Sequence, residues 1–373
     1  MTKITKTTGI FLASALAAVG CDSATTSRPT DDTTMDAGPA MDSGEELGQG
    51  TPGEVLYPNK IKECEAGGNT FFYVLHTFDV GTNGDLKELT GKELPKNVVP
   101  GLNLDGDVTT GAKVSDSLCA HREDFVYPDA TNPTHEGIDN QVSIALDKIE
   151  NAFPVDVTEQ IETAITEGEL LVVVRLRNVD TNPDNPSDKT YFPKNDDCVN
   201  ADFLLGSVPD GSTLELDENG KIKAGQSFDT RLESYNDGKA AVQVPGAEIK
   251  AGRVMGAMAK GGKLKVELPV QGGDPVELSI ESVRFEAEVT GTSVTNGLLA
   301  GTLDVATTSK ALAGFAANLD GVTGDPTPII EATLSAQADM GADQAGKNCQ
   351  DISVGFIYGG VDAIDTDKKV DKD

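Results

Sequence analysis

Residues 263–289 read KLKVELPVQGGDPVELSIESVRFEAEV. From Lys263 to Val270 the apolar residues Leu264, Val266, Leu268 and Val270 alternate with polar ones, the period of a half-buried strand. The turn QGGDP follows at 271–275, and Val276, Leu278 and Ile280 continue the alternation. The parity then changes: Val283, Phe285, Ala287 and Val289 are the apolar positions, one residue out of step. A slip of one residue would turn that set towards solvent. A β-bulge near Glu281–Ser282 inserts the extra residue and returns the set to the same face. The stretch therefore predicts a hairpin whose second strand is bulged.

Text of the same kind lies on both sides of it. Thr70–Val80 and Glu169–Val179 are β-branched and aromatic and predict buried strands. Leu102–Val108, Ala201–Val208, Ser212–Leu216 and Asp351–Gly359 are further strand candidates. Helical spacing interrupts them. Val142, Ala145, Leu146, Ile149 and Phe153 fall on one face of 141–153, with Asp139 or Asn140 as N-cap and Pro154 as stop. Val157, Ile161, Ala164 and Ile165 do the same for 156–166, with Gly168 as the C-terminal cap. Two more helices are predicted at about 309–318 and 327–338. The fold class is α+β and mainly antiparallel β: a β-sandwich-like domain with helical excursions, spanning 57–361.

Composition agrees. Among 373 residues there are 40 Gly, no Trp and only 5% aromatics, a profile of loop-rich β proteins. The formal net charge is −31, so nucleic acid and anionic membrane faces are poor partners, because phosphate binding needs a basic footprint.

The first twenty residues carry an address. Lys3 and Lys6 precede an apolar run from Gly9 to Val19, too short to span a bilayer, and Cys21 follows in the context AAVGC. This layout is a secretory signal peptide, and AAVGC resembles the lipobox of bacterial lipoproteins. The resemblance implies a signal peptide at 1–20 and an acylated Cys21 as lipid anchor. Residues 21–56, rich in Asp, Thr, Ser, Gly and Pro, are too poor in apolar side chains to fold and predict an acidic tether. The polar residues 362–373 predict a flexible tail.

Apart from Cys21 the chain has Cys64, Cys119, Cys198 and Cys349, an even number that predicts two disulfides in an exported protein. Three connectivities are open. No CxxC pair points to zinc or redox chemistry.

Signatures of catalysis are sparse. His76, His121 and His135 are the only histidines, and the residues after His135 do not complete HExxH. GxSxG is absent, and the GAMAKGGK stretch at 256–263 lacks phosphate-loop spacing. Acidic loops are the remaining chemistry. LDGD at 104–107 places Asp105 and Asp107 about a Gly, as cation loops do, although a β-turn explains the same residues. The stretch DFVYPDATNPTHEGIDNQ at 124–141 adds Asp129, Asp139 and Asn140. Together with Cys119 before it, its Tyr127, Pro128, Ala130 and Gly137-Ile138-Asp139-Asn140 resemble a Cys- and Asp-rich metal-binding motif of bacterial surface proteins, without that motif's closing Asp-Cys-Asp-Gly run. Calcium is the cofactor such loops would take, through Asp105, Asp107, Asp129, Asp139 and Asn140.

A broader layout joins LDGD at 104–107, GIDNQ at 137–141, GELLVVV at 168–174 and CQDISVGF at 349–356. Together with the lipobox and tether it resembles uncharacterised secreted and lipid-anchored proteins of myxobacteria and related lineages. That resemblance implies an envelope location, at the outer membrane or cell surface, and no particular activity. The expected function is a non-catalytic binding or structural lipoprotein, its partners a bilayer and an unknown protein or envelope ligand. A carboxylate- or cation-dependent hydrolase acting outside the cytoplasm is the alternative.

Overall fold

The computed structural model describes residues 63–82, 95, 97–106, 119, 122–126, 137–153, 157–188, 190–258, 262–268, 276–317, 324–342 and 348–371. The expected signal peptide and tether, Cys21, Asp107, Asp129, His121 and His135 lie outside them.

Strand β1 (Asn69–Val80) leads into helices α1 (Gln141–Ala152) and α2 (Val157–Glu167), which precede β2 (Val172–Val179) and β3 (Asp196–Ser207). Next come β4 (Ser227–Arg231), the short β5 (Tyr235–Asn236) and β6 (Lys239–Ala240), and then β7 (Val242–Lys250) and β8 (Arg253–Ala257). The stretch at 263–289 forms β9 (Lys263–Leu268) and β10 (Val276–Val289). After β11 (Ser293–Asp304) come α3 (Val305–Ala317), α4 (Thr327–Gln337), β12 (Met340–Ala342), β13 (Cys349–Asp362) and β14 (Ile364–Val370). None of these helices is long and apolar enough to cross a membrane.

The architecture is mainly antiparallel β, as expected, but it is not two packed sheets. One sheet runs β3–β2–β1–β13–β11–β10–β8–β7, and β7 pairs back onto β3. The eight strands thereby close an antiparallel barrel-like ring, which removes the open edges a sandwich would leave. Alternation along one strand is the same for both architectures. What separates them is the long-range pairing of β3 with β7, which no single segment encodes.

The register identifies the inner face. Tyr73 pairs with Val174, Val174 with Phe203, Phe285 with Leu299, and Leu299 with Phe356. Paired residues share a face, and all six are buried in one core. The bulge in β10 is present: its register with β11 shifts between Glu281 and Arg284, and Ser282 takes a φ of 54°. Ile280 before it and Val283 and Phe285 after it are therefore all fully buried.

The four α-helices among the described residues lie in connections at one end of the barrel, where β1 and β11 finish and β2 and β13 begin. Ile149 of α1, Ile161 of α2, Leu312 of α3 and Ile330 of α4 join the strand core. Gly168, with a φ of 80°, ends α2 in the left-handed turn expected of it, and its N–H bonds to the Ile165 carbonyl at 3.1 Å. At the opposite end the Tyr73 hydroxyl donates to the Thr290 carbonyl at 2.6 Å, and Phe192 packs edge-on against Phe71.

Both predicted disulfides form. Cys64–Cys198 ties the segment before β1 to β3, and Cys119–Cys349 ties a loop to the start of β13. They close 134 and 230 residues of chain. By loop entropy each is worth on the order of 4–5 kcal/mol.

Three local expectations change. Ser212–Leu216 is no strand; Leu216 makes a single bridge, to Ile222. Leu102–Val108 is no strand among the described residues; Leu102 makes a single bridge, to Asp139. The polar tail is not frayed along 364–370: β14 runs parallel to β4, and Lys369 lies 3.6 Å over the Tyr235 ring. Backbone pairing and a cation–π contact hold a segment whose composition alone suggests solvent.

Candidate functional site

The acidic residues singled out by sequence meet in part. Asp139 is buried and accepts the N–H of Leu104 at 2.6 Å and that of Asp105 at 3.4 Å, so the 104–105 turn is folded onto its carboxylate. Burial is the first cause that lifts the Asp139 carboxyl well above the usual range; the charges of Asp105 and Asp339 add to it. A carboxylate already bonded to backbone N–H groups is a structural acceptor. Among the described residues no three His, Cys, Asp or Glu side chains gather in a way that could hold a metal ion.

Asn140 occupies the N-cap position of α1, but its side chain makes no capping bond. Its amide instead donates to the carbonyls of Gly81 and Pro100, both at 2.7 Å. The helix is capped from elsewhere. Gln141 N–H donates to Ser353 Oγ at 3.0 Å, and Ser353 Oγ donates to Asp339 Oδ2 at 2.6 Å. Ser353 N–H also donates to Asp339 Oδ1 at 2.8 Å. An acid on the β12 approach thus polarises a β13 hydroxyl that satisfies an orphan amide of α1. The GIDN segment is a fastener between α1, the 100–105 turn and β13, and the expected local cap is corrected to this relay.

His76 is half-buried beside Thr77 in a polar cleft of about 450 Å³ between β1, α2 and the 219–221 turn. Burial and then Lys221 push its imidazole below the ordinary value, so it is neutral at pH 7.

A second concavity among the described residues opens into the barrel. It measures about 300 Å³ and its inner wall is Phe78, Val172, Phe203, Leu264 and Val266. Its existence follows from two forked strands. At one level β3 pairs with β7 through Phe203 and β10 pairs with β8 from Arg284 onward, which closes the wall. At the helical end β3 pairs with β4 at Gly206 and Ser207, while β10 pairs with β9 from Val276 to Glu281. Strands β4 and β9 do not pair with each other among the described residues. A slot therefore remains between them. Leu264 and Val266 face inward beside it, and Lys263 and Lys265, on the opposite face of β9, line its mouth. Both faces of one strand border the same space, so the cavity passes around the β9 edge to the surface.

In sequence these apolar residues are indistinguishable from ordinary buried-strand positions. The alternation of Lys with Leu and Val in β9 is the pattern of an edge strand kept from aggregating, and is the one local sign of the slot. Comparison of the chain with protein-family models, with curated proteins and with solved structures finds no match.

Proposed function

We propose that this chain is a non-catalytic envelope lipoprotein, held to a bilayer through acylated Cys21, whose barrel binds one small apolar molecule. The observation that carries the reading is the 300 Å³ apolar cavity opening through the barrel wall beside β9. Eight-stranded closed sheets are wide enough to be filled by side chains or to hold one small ligand, and cavities of this size in barrel mouths are ordinary ligand sites. Here one end of the lumen is packed with aromatic rings, and at the helical end the slot between β4 and β9 opens to the surface. The tether and lipid anchor expected from residues 1–56 would set such a binder at a membrane face, close to a supply of apolar molecules.

The absence of Trp from the chain makes the test direct. Leu205, partly buried at the slot, is replaced by Trp, and Ile329, exposed on α4 away from the slot, is replaced as the control. The uncharged fluorophore N-phenyl-1-naphthylamine is titrated into the secreted Cys21→Ala protein, which needs no detergent. Saturable fluorescence is expected, with Leu205→Trp weakening it at least tenfold and Ile329→Trp leaving it unchanged. No saturable binding, or equal binding by both Trp variants, overturns the reading.

A further inference from the structure

We infer that the molecule this cavity takes is uncharged, and that the slot rejects an ionised carboxylate of the same chain length. The inference rests on the binding reading above and adds the ligand class.

The cation inventory of the mouth is the basis. Two lysines line it, and each is already engaged. Lys265 Nζ lies 3.0 Å from Glu277 across the β9–β10 pair, and Lys263 pairs with Glu281 one step along. Glu233, on the far lip, is paired with Arg231 at 3.6 Å. The polar groups below the rim are also engaged: Ser234 Oγ accepts the Leu205 N–H at 2.7 Å, and the Ser234 carbonyl accepts the Ala241 N–H at 2.8 Å. Below the rim the wall is aliphatic and aromatic.

An entering carboxylate would have to share a lysine whose charge Glu277 or Glu281 already offsets, or sit among three glutamates without a cation of its own. Like-charge contact of this kind is a strong discriminator. The protein as a whole carries −31 charges and repels anions before contact. An ammonium group could approach the glutamates, but drawing it past the rim would strip its hydration against an apolar wall. A neutral chain, such as an alcohol, ester or hydrocarbon, meets none of these costs.

The test is displacement of N-phenyl-1-naphthylamine from the secreted Cys21→Ala protein by 1-dodecanol, dodecanoate and dodecylammonium at pH 8, each below its aggregation limit. Dodecanol is expected to displace the probe, and the two ions to be weaker by about tenfold or more. Glu277→Gln and Glu281→Gln release Lys265 and Lys263, so both variants should gain affinity for dodecanoate while dodecanol is unaffected. Dodecanoate or dodecylammonium competing as well as dodecanol, or no gain in either Gln variant, overturns the inference and leaves the cavity as a binding site. Absence of probe binding in the parent overturns the binding reading itself.

Discussion

Phe203 and Phe285 meet edge to face inside the barrel, their ring centroids 5.2 Å apart and their planes at 83°. They come from β3 and β10, which are separated in the wall by β7 and β8, so the contact spans the lumen rather than following a ladder. Phe203 also lines the cavity, which makes this pair its floor. Aromatic pairs of this geometry add about 0.5–1.5 kcal/mol to the burial of each ring.

Removing the floor should trade stability for space. Phe203→Ala is expected to cost about 3–5 kcal/mol, the range for a buried ring replaced by a methyl group. It should also deepen the cavity, so that a longer uncharged chain displaces the probe relatively better than it does from the parent. Denaturant melts and a chain-length series from decanol to hexadecanol read both effects. A loss under about 1 kcal/mol, or an unchanged length preference, means that the ring does not form the floor.

The turn that closes the wall carries a second, opposite prediction. β7 and β8 are joined by Ala251 and Gly252, with φ of 53° and 83°. Both central residues are left-handed, as a tight hairpin of this type requires, and glycine supplies that conformation freely while alanine does not. Ala251→Asn or Ala251→Gly should therefore stabilise the protein by about 0.5–1 kcal/mol, read as a higher denaturant midpoint at constant slope. The backbone N–H of Ala251, which donates to Asn195 Oδ1 at 3.0 Å, is retained in both variants. A lower midpoint in both would show that the turn is not strained at this position.

That turn also shows where the sequence falls silent. The bulged strand at 276–289 was legible because parity within one strand is local information. The helices were legible because their apolar faces repeat over three turns. The hairpin that closes the barrel was not, since Ala251–Gly252 lacks the Asn-Gly or Asp-Gly pair that marks such turns. Pro245 and Gly246 also break the alternation in β7, where its register with β3 slips between Val199 and Ala201. The GIDNQ residues stood out as special, but their partners lie up to 212 positions away, so composition could suggest a cap or a cation and not a fastener. The slot was the least visible feature, because it exists only where two strands fork towards partners that do not meet.

The relay under α1 makes stability depend on pH. Burial raises the Asp339 carboxyl to about 7, with the charge of Asp105 adding and the bonds from Ser353 opposing. Asp139 rises for the same first cause, and Asp351 is pushed up to about 6 by burial and by Asp304 and Glu281. The ordinary carboxyl value is 3.8. The folded chain thus holds protons that the unfolded chain has released. Stability from these groups is full below about pH 4 and is lost as pH rises through their folded values, chiefly between 4 and 7. Across that window one such group changes stability by at most about 1.4 kcal/mol per pH unit. The protein should therefore be more stable at pH 5 than at pH 8 in guanidinium melts at constant ionic strength. The overall negative charge favours the same direction, so the parent alone does not identify the group. Asp339→Asn does: it keeps an acceptor for the Ser353 N–H, removes the titration, and changes one charge in a total of −31. Its stability should lose part of the parent's decline between pH 4 and 7, with the two curves parallel above pH 8. Equal slopes in parent and variant would mean that Asp339 is ionised throughout and that the relay runs on a permanent charge.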